Sequence, residues 1–163
     1  ATGMPPLFVS LMNMMINDGR KSTWVALFAI FLLLFIDMRS FRFSFAAMTP
    51  LVFGIIWMMG IMDMLGLKLN MMNIMVIPLI IGIRIDDGSH IIHRYIIENE
   101  LYIVFSSTGK AILLTSLTTM LAFGSLYFSI YRGLASLGIA LFIGSGTCFL
   151  ATILIIPLIL PKK

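Results

Sequence analysis

The chain has 163 residues, of which 60% are hydrophobic and 11% charged, and its mean hydropathy is +1.08. A soluble domain of this length could not cover so much apolar surface, so the surrounding solvent must be largely lipid. The formal net charge of +4 does not indicate a nucleic-acid partner, because the Lys and Arg residues fall mostly between apolar runs, where they set topology and meet membrane lipids.

Residues 1–21 are predicted to form a juxtamembrane interfacial segment. Apolar residues recur at helical spacing from Met4 to Asn17, after Pro5 and Pro6. This pattern is typical of an amphipathic helix that lies along the membrane surface. The polar stretch 17–21 is predicted to break the chain before the first transmembrane helix.

Residues 22–163 contain five apolar stretches and predict five transmembrane helices. Their approximate ranges are 22–37, 44–65, 71–92, 110–130 and 134–160. Pro78 removes one backbone hydrogen bond and is expected to kink the third helix about one turn before Gly82. Residues 94–108 are too short and too acidic to span, so a second surface helix is predicted there. The expected fold is an all-α membrane protein with five transmembrane and two interfacial amphipathic helices.

The fifth predicted helix carries a stripe of small residues. Ser136, Ala140, Gly144 and Cys148 recur every four residues, which lets a neighbouring backbone approach closely. Cys148 is the single cysteine, so the chain has no disulfide framework.

The basic residues predict an orientation. If the five stretches all span, one side collects Arg39, Arg42, Arg94, Lys110, Lys162 and Lys163, and the other has Arg20, Lys21, Lys68 and Arg132. The bias favours a cytoplasmic C-terminus.

The third predicted helix is unusual because it carries several ionisable residues. Arg84, Asp86, Asp87, His90, His93 and Arg94 follow each other within about three helical turns. At about 100° per residue most of them share one face of roughly 120°, bordered by Gly82, and Arg84 is close enough to Asp87 for an ion pair. A carboxylate near the bilayer midplane costs about 2.5–3.5 kcal/mol, so this face is predicted to be functional.

The adjacent carboxylates suggest proton transfer. Two of them in a low-dielectric environment cannot both ionise cheaply, so at least one could load and release a proton. Hydroxyl groups of the fourth predicted helix are candidate hydrogen-bonding partners for the carboxylates. The predicted relay partners are Arg84 on the same helix and Thr115, Thr118 and Thr119 on the fourth.

Other readings of the charged face remain open. One alternative is that Arg84 and the two Asp residues form a satisfied ion-pair cluster that only fixes helix packing. His90, His93 and Arg94 lie near the predicted cytoplasmic end and fit a water-facing rim. A metal site is disfavoured because such sites usually draw ligands from more than one helix.

No enzyme activity is predicted. An intramembrane aspartyl protease would need carboxylates that converge from two helices, whereas Asp37 and Asp63 lie at the ends of predicted spans. No catalytic residue, cofactor or metal ion is therefore expected.

Several motifs together resemble the resistance-nodulation-division (RND) superfamily. They are G-L-K-L-N-M-M-N, the run I-P-L-I-I-G-I-R-I-D-D-G-S-H-I-I-H-R-Y, then S-T-G-K-A-I-L-L-T-S-L-T-T-M-L-A-F-G-S-L and R-G-L-A-S-L-G. The likeness is greatest to the branch that contains the mycobacterial membrane protein large (MMPL) and hopanoid transporters, and the five-span unit is also similar to a sterol-sensing domain. The resemblance implies twelve spans in two halves, each with a large periplasmic domain, of which this chain matches the last five spans of one half, expected to be the C-terminal half.

The resemblance also implies roles for residues. Asp86 and Asp87 would relay protons that drive export of lipids or other hydrophobic substrates, with Gly82 as the family glycine four residues earlier. Pro78, Gly82, Gly88, Ala140 and Gly144 are the expected packing or hinge positions. The implied partners are membrane lipids, the substrate, protons, the other half and the periplasmic domains, in the inner membrane of a bacterium or archaeon.

Arg84 departs from the family pattern, which usually has a second glycine there. A guanidinium never releases its proton and would hold Asp87 ionised, so the relay role is more secure for Asp86. The alternative function is a sterol- or lipid-sensing membrane domain without transport, in which the Arg–Asp cluster is structural.

Overall fold

A computed structural model describes residues 4–67 and 73–160, and within these ranges every regular element is helical. The elements are α1 (Met4–Met38), α2 (Phe41–Met64), α3 (Val76–Glu98), α4 (Leu101–Gly124) and α5 (Arg132–Ile159), with short 3₁₀ helices at Asn73–Met75 and Ser125–Phe128. The predicted all-α class is confirmed. The turn predicted after Gly66 begins as expected, with Gly66 at a φ of 66°, and its remainder lies outside the described residues.

In the described part of the chain, four helices are long and apolar enough to cross a membrane. They are α1, α2, α5 and α4 with its following 3₁₀ turn. Large apolar side chains such as Trp24, Phe28, Leu121 and Phe128 are exposed on their outer faces, as expected for helices that contact lipid. The chain is therefore a multi-pass membrane protein. The five predicted transmembrane helices are not all recovered by length and composition. Helix α3 is the missing one, because its charged residues interrupt its apolar run.

The predicted break between the N-terminal helix and the first transmembrane helix is wrong. Helix α1 is continuous over 35 residues and passes through the polar stretch 17–21 without interruption. The polar side chains are accommodated locally, since Arg20 donates a hydrogen bond to the side chain of Asn17. Gly19 is buried against Ile74, where an added Cβ would lie 2.7 Å from the Cγ2 atom of Ile74. Gly19 therefore marks a close packing contact and not a helix end.

The predicted surface helix at 94–108 is also wrong. Helix α3 continues to Glu98 and α4 begins at Leu101, so only Asn99 and Glu100 connect them. Asn99 adopts the left-handed conformation with a φ of 57°, which Asn tolerates better than most residues. The acidic residues thus mark a tight turn between two long helices.

Pro78 does not interrupt a helix. Helix α3 begins at Val76, which puts Pro78 in the first turn, where its missing N–H would have no intrahelical acceptor. The expected kink therefore has no cause at this position.

Helix α3 occupies the middle of the bundle. It contacts all four other helices, whereas α1 packs on α2 and α3, and α4 packs on α3 and α5. Helices α2 and α3 approach each other closely at Gly88, where an added Cβ would clash with the carbonyl oxygen of Ala47. The charged helix is thus held on several sides at once.

The small-residue stripe of α5 faces α2 and α3. An added Cβ at Gly144 would lie 2.5 Å from the Sδ atom of Met58 and would also clash with Ile80. Cys148 lies against Gly54 of α2, where an added Cβ would be 2.6 Å from the Cα atom of Cys148. Ala140, fully buried, belongs to the apolar cluster at this level. These contacts bring the backbones of α2 and α5 together.

Candidate functional site

Arg84 is the centre of a buried polar cluster that joins three helices. Its Nη1 donates hydrogen bonds to Oδ2 of Asp87 at 3.0 Å and to Oγ of Ser116 on α4 at 2.7 Å. Its Nε donates to Oγ of Ser145 on α5 at 2.9 Å, and Nη2 donates to the same oxygen. Arg84 and Asp87 are 4% and 6% exposed. The predicted i to i+3 ion pair is confirmed.

The polar groups of the cluster satisfy one another's hydrogen-bonding capacity. Removing a charged pair from water costs several kcal/mol per ion, which is offset only by good geometry and by further hydrogen bonds. Here one carboxylate and two hydroxyls accept from the guanidinium, and in the described part of the chain no buried side-chain N or O atom lacks a partner. Asp87 is thus bound in an internal ion pair.

Asp86, the adjacent residue, lies in different surroundings. It is exposed, as are Gly82 and His90, each one turn away from it along the same face of α3. An added Cβ at Gly82 would meet no atom within 4 Å. Of the two neighbouring carboxylates, Asp87 is therefore buried in the bundle and Asp86 is exposed at its surface.

A cleft of about 730 Å³ lies between α3 and α4 and receives the side chain of Asp86. It extends from the level of Arg84 towards the turn at Asn99 and Glu100. Its lining consists of Ile83, Arg84, Asp86, Asp87, His90, His93, Arg94 and Ile97 from α3, and Ser107, Thr108, Ala111, Ile112, Thr115 and Thr119 from α4. Most of the predicted site residues of α3 and α4 thus line this one cleft.

His90, His93 and Arg94 are exposed and lie on the part of the cleft nearest the α3–α4 turn. Arg94 forms an ion pair with Glu98, with 2.8 Å between Nη2 and Oε1. The two histidines therefore line the cleft between its mouth and Asp86.

The hydroxyls predicted as relay partners act locally. Those of Thr115, Thr118 and Thr119 donate to backbone carbonyls of their own helix, at 3.1, 2.9 and 2.7 Å. Thr115 and Thr119 line the cleft, whereas Thr118 is absent from its lining. The hydroxyls that contact Arg84 belong to Ser116 and Ser145.

Sequence reasoning missed the role of Ser145 and did not single out Ser116. Ser116 continues the buried face of α4, four residues after Ile112, and this spacing is visible in the sequence. Ser145 follows Gly144 in the most apolar helix, and a hydroxyl in such surroundings signals a buried hydrogen bond.

Metal binding finds no support in the geometry. Among residues 4–67 and 73–160, no three His, Cys, Asp or Glu side chains converge in a way that could hold a metal ion. Asp86, His90 and His93 come from one helix, and the facing wall of α4 supplies hydroxyls and apolar groups.

The sequence is similar to three curated proteins along almost its whole length. It is 28% identical to the putative membrane protein MJ1562 of Methanocaldococcus jannaschii over 96% of the chain. It is 25% and 29% identical, over 99% of the chain, to the hopanoid transporters HpnN of Burkholderia multivorans and Rhodopseudomonas palustris. These similarities support an RND-like membrane domain without distinguishing its branch.

The chain spans only part of these relatives. It covers 42% of the archaeal protein and 18% of each hopanoid transporter. No family model and no solved structure matches the chain.

Proposed function

We propose that this chain is the membrane part of an RND-type exporter that uses the proton-motive force to move lipids or other hydrophobic molecules. Similarity to two hopanoid transporters over 99% of the chain supports the transport class. The proposed location is the cytoplasmic membrane of a bacterium or archaeon, with the C-terminus in the cytoplasm and α3 as a fifth span. The protein is proposed to be a transporter and not an enzyme.

The observation that carries the proposal is the division of the acidic pair. Asp87 is buried and bound to Arg84, whereas Asp86 is exposed in the cleft between α3 and α4. Proton exchange requires access to water and freedom from a permanent cation, and Asp86 is exposed and takes part in neither ion pair of the described residues. We therefore assign proton loading and release to Asp86 and a static role to Asp87.

Arg84 would act as a fixed counter-ion in this mechanism. Its guanidinium stays protonated and hydrogen-bonded to Asp87, and in this mechanism the charge that changes during a transport cycle is that of Asp86. Because α3 contacts every other helix of the unit, a change of charge on it can alter packing throughout the bundle. This coupling would connect proton binding to movement of the helices.

The exposed side of α3 fits the proposal that a further half of the transporter packs there. Gly82 has open space in front of it, so another helix backbone could approach closely at the level of Asp86. The proposed partners are this other half, the periplasmic domains and the transported lipid.

The assignment can be tested by transport assays on the full-length protein in proteoliposomes with an imposed proton gradient. Asp86→Asn should abolish proton-driven transport, whereas Asp63→Asn, a matched change at the exposed end of α2, should leave it intact. Asp87→Asn should mainly reduce the yield of folded protein, because breaking a buried ion pair costs about 3–5 kcal/mol. Proton-driven transport by Asp86→Asn at the normal rate would refute the role of this residue.

A lipid-sensing domain without transport is the second candidate, and one observation favours it. The Arg84 cluster is buried and hydrogen-bonded throughout, as a purely structural cluster would be. If this alternative holds, a photoreactive sterol should label the protein equally well with and without the Asp86→Asn change, and no substrate should be moved by a proton gradient.

A further inference from the structure

The α3 wall of the cleft carries three proton-exchanging side chains in sequence. Asp86, His90 and His93 are spaced by four and three residues, all are exposed, and all line the cleft. At 1.5 Å per residue, successive members lie about 6 and 4.5 Å apart along the helix axis. A single water molecule can bridge gaps of this size between polar groups.

The α4 wall of the cleft offers hydroxyl oxygens as hydrogen-bond acceptors for water and adds no charged group. Ser107, Thr115 and Thr119 of α4 donate their hydroxyl protons to carbonyls of their own helix, so oxygen lone pairs remain for water in the cleft. The α4 residues that line the cleft include no titratable group. Proton exchange along this path therefore depends on the side chains of α3.

The charged residues at the two ends of the cleft are already paired. Arg84 is bound to Asp87 at the deep end, and Arg94 is bound to Glu98 near the mouth. Neither ion pair of the described residues includes Asp86. Asp86 thus provides the uncompensated charge of the cleft, and a positive charge that moves along the histidines would be drawn towards it.

We propose that the cleft is a water-filled path between Asp86 and the membrane side that carries the α3–α4 turn, with His90 and His93 as intermediate proton carriers. This inference rests on the proposed function in one respect, the assignment of Asp86 as the titrating carboxylate. Imidazole suits the role because it gains and loses a proton near neutral pH.

The proton steps balance without any further reactant. Protonated Asp86 gives its O–H proton through water to a ring nitrogen of His90, leaving a carboxylate and an imidazolium. The imidazolium passes a proton through water to His93, which returns it to water at the mouth and regains its neutral form. Loading of Asp86 from this side is the same series reversed.

Water access can be tested separately from transport by cysteine labelling of the full-length protein, with its other cysteines replaced. Thr115→Cys and Thr119→Cys should react with a charged, membrane-impermeant methanethiosulfonate added on the side of the α3–α4 turn, and not from the other side. Leu114→Cys and Leu121→Cys are matched controls, since these residues are 65% and 71% exposed but absent from the cleft lining. Labelling of the controls alone, or labelling of the cleft from the opposite side, would overturn the path.

The histidines can be tested by transport in proteoliposomes. The double variant His90→Asn with His93→Asn should slow proton-driven transport by about tenfold or more, within the range of general acid–base contributions. Imidazole added on the side of the turn should restore the rate, which a merely structural role would not predict. Normal transport by the double variant, or slow transport that imidazole fails to rescue, would exclude the histidines as carriers.

The two proposals fail in different ways. Proton-driven transport that survives Asp86→Asn removes the proposed function itself. Loss of transport in Asp86→Asn together with an unlabelled cleft removes only the access path.

Discussion

Arg84 separates two neighbouring carboxylates by binding one of them. Successive residues of a helix point about 100° apart, so Asp87 is buried beside Arg84 while Asp86 is exposed, although both line the cleft. The guanidinium is held by groups from three helices, and its position therefore depends on the hydroxyl of Ser145 as well as on Asp87.

Replacing Ser145 by Ala should destabilise the protein by about 1–3 kcal/mol, because two N–H groups of a buried guanidinium lose their acceptor. Thr152→Val is the matched control on the same helix, since it also removes a buried hydroxyl, which bonds only to the carbonyl of Cys148. Thermal unfolding of the purified protein in detergent would measure both. Equal melting temperatures for the two variants would contradict the proposed importance of the cluster.

At the scale of residues, the sequence predicts contacts within one helix better than contacts between helices. The ion pair of Arg84 and Asp87 follows from their spacing alone. The contact with Ser145 joins residues 61 positions apart and depends on how α3 and α5 are rotated against each other. The sequence therefore predicts threonines near the right level of α4, whereas Ser116, which lies between them, contacts the arginine.

Helix α3 also shows how two glycines of one element differ in their surroundings. Gly88 is buried where α3 meets the backbone of α2, whereas Gly82 faces open space. The packing of these two helices therefore depends on Gly88 in particular.

Gly88→Ala should destabilise the protein by about 1–3 kcal/mol, because its methyl group would force α2 and α3 apart at Ala47. Gly82→Ala should be neutral or slightly stabilising in the five-helix unit, since alanine favours helix formation over glycine by about 1 kcal/mol. Unfolding in detergent measures the difference between the two variants. A greater loss of stability at Gly82 than at Gly88 would contradict the packing described.

At the scale of elements, charged and polar residues predict helix ends at positions where the helices continue. The stretch 17–21 lies within α1, and residues 94–108 divide between the end of α3 and the start of α4. Hydropathy locates the apolar part of a helix but gives no signal for its continuation into polar surroundings. The predicted ends of the second and fifth apolar stretches, at about residues 65 and 160, lie within one residue of Met64 and Ile159, where α2 and α5 end.

At the scale of the whole molecule, the position of α3 decides the topology. By composition it is the weakest candidate for a membrane span, yet it contacts all the other helices. A helix surrounded in this way can place charged side chains inside a bundle and away from lipid. We therefore expect α3 to cross the membrane with the others.

Single-cysteine labelling tests this expectation. If α3 spans, Ser40→Cys and Glu100→Cys should be labelled from the same side, and Ser129→Cys from the opposite side. If α3 does not span, Ser40→Cys and Glu100→Cys should be labelled from opposite sides. A membrane-impermeant maleimide on sealed vesicles of known orientation makes the measurement.

The continuity of α1 has a mechanical consequence. A helix of 35 residues is about 52 Å long, whereas the hydrocarbon layer is about 30 Å thick. Because α1 is continuous between Met4 and Met38, we expect it to move as one rigid unit about the contact of Gly19 with Ile74. A tilt of the first turns of α1 would then displace the 3₁₀ turn from which α3 starts, and so the helix that carries the carboxylates.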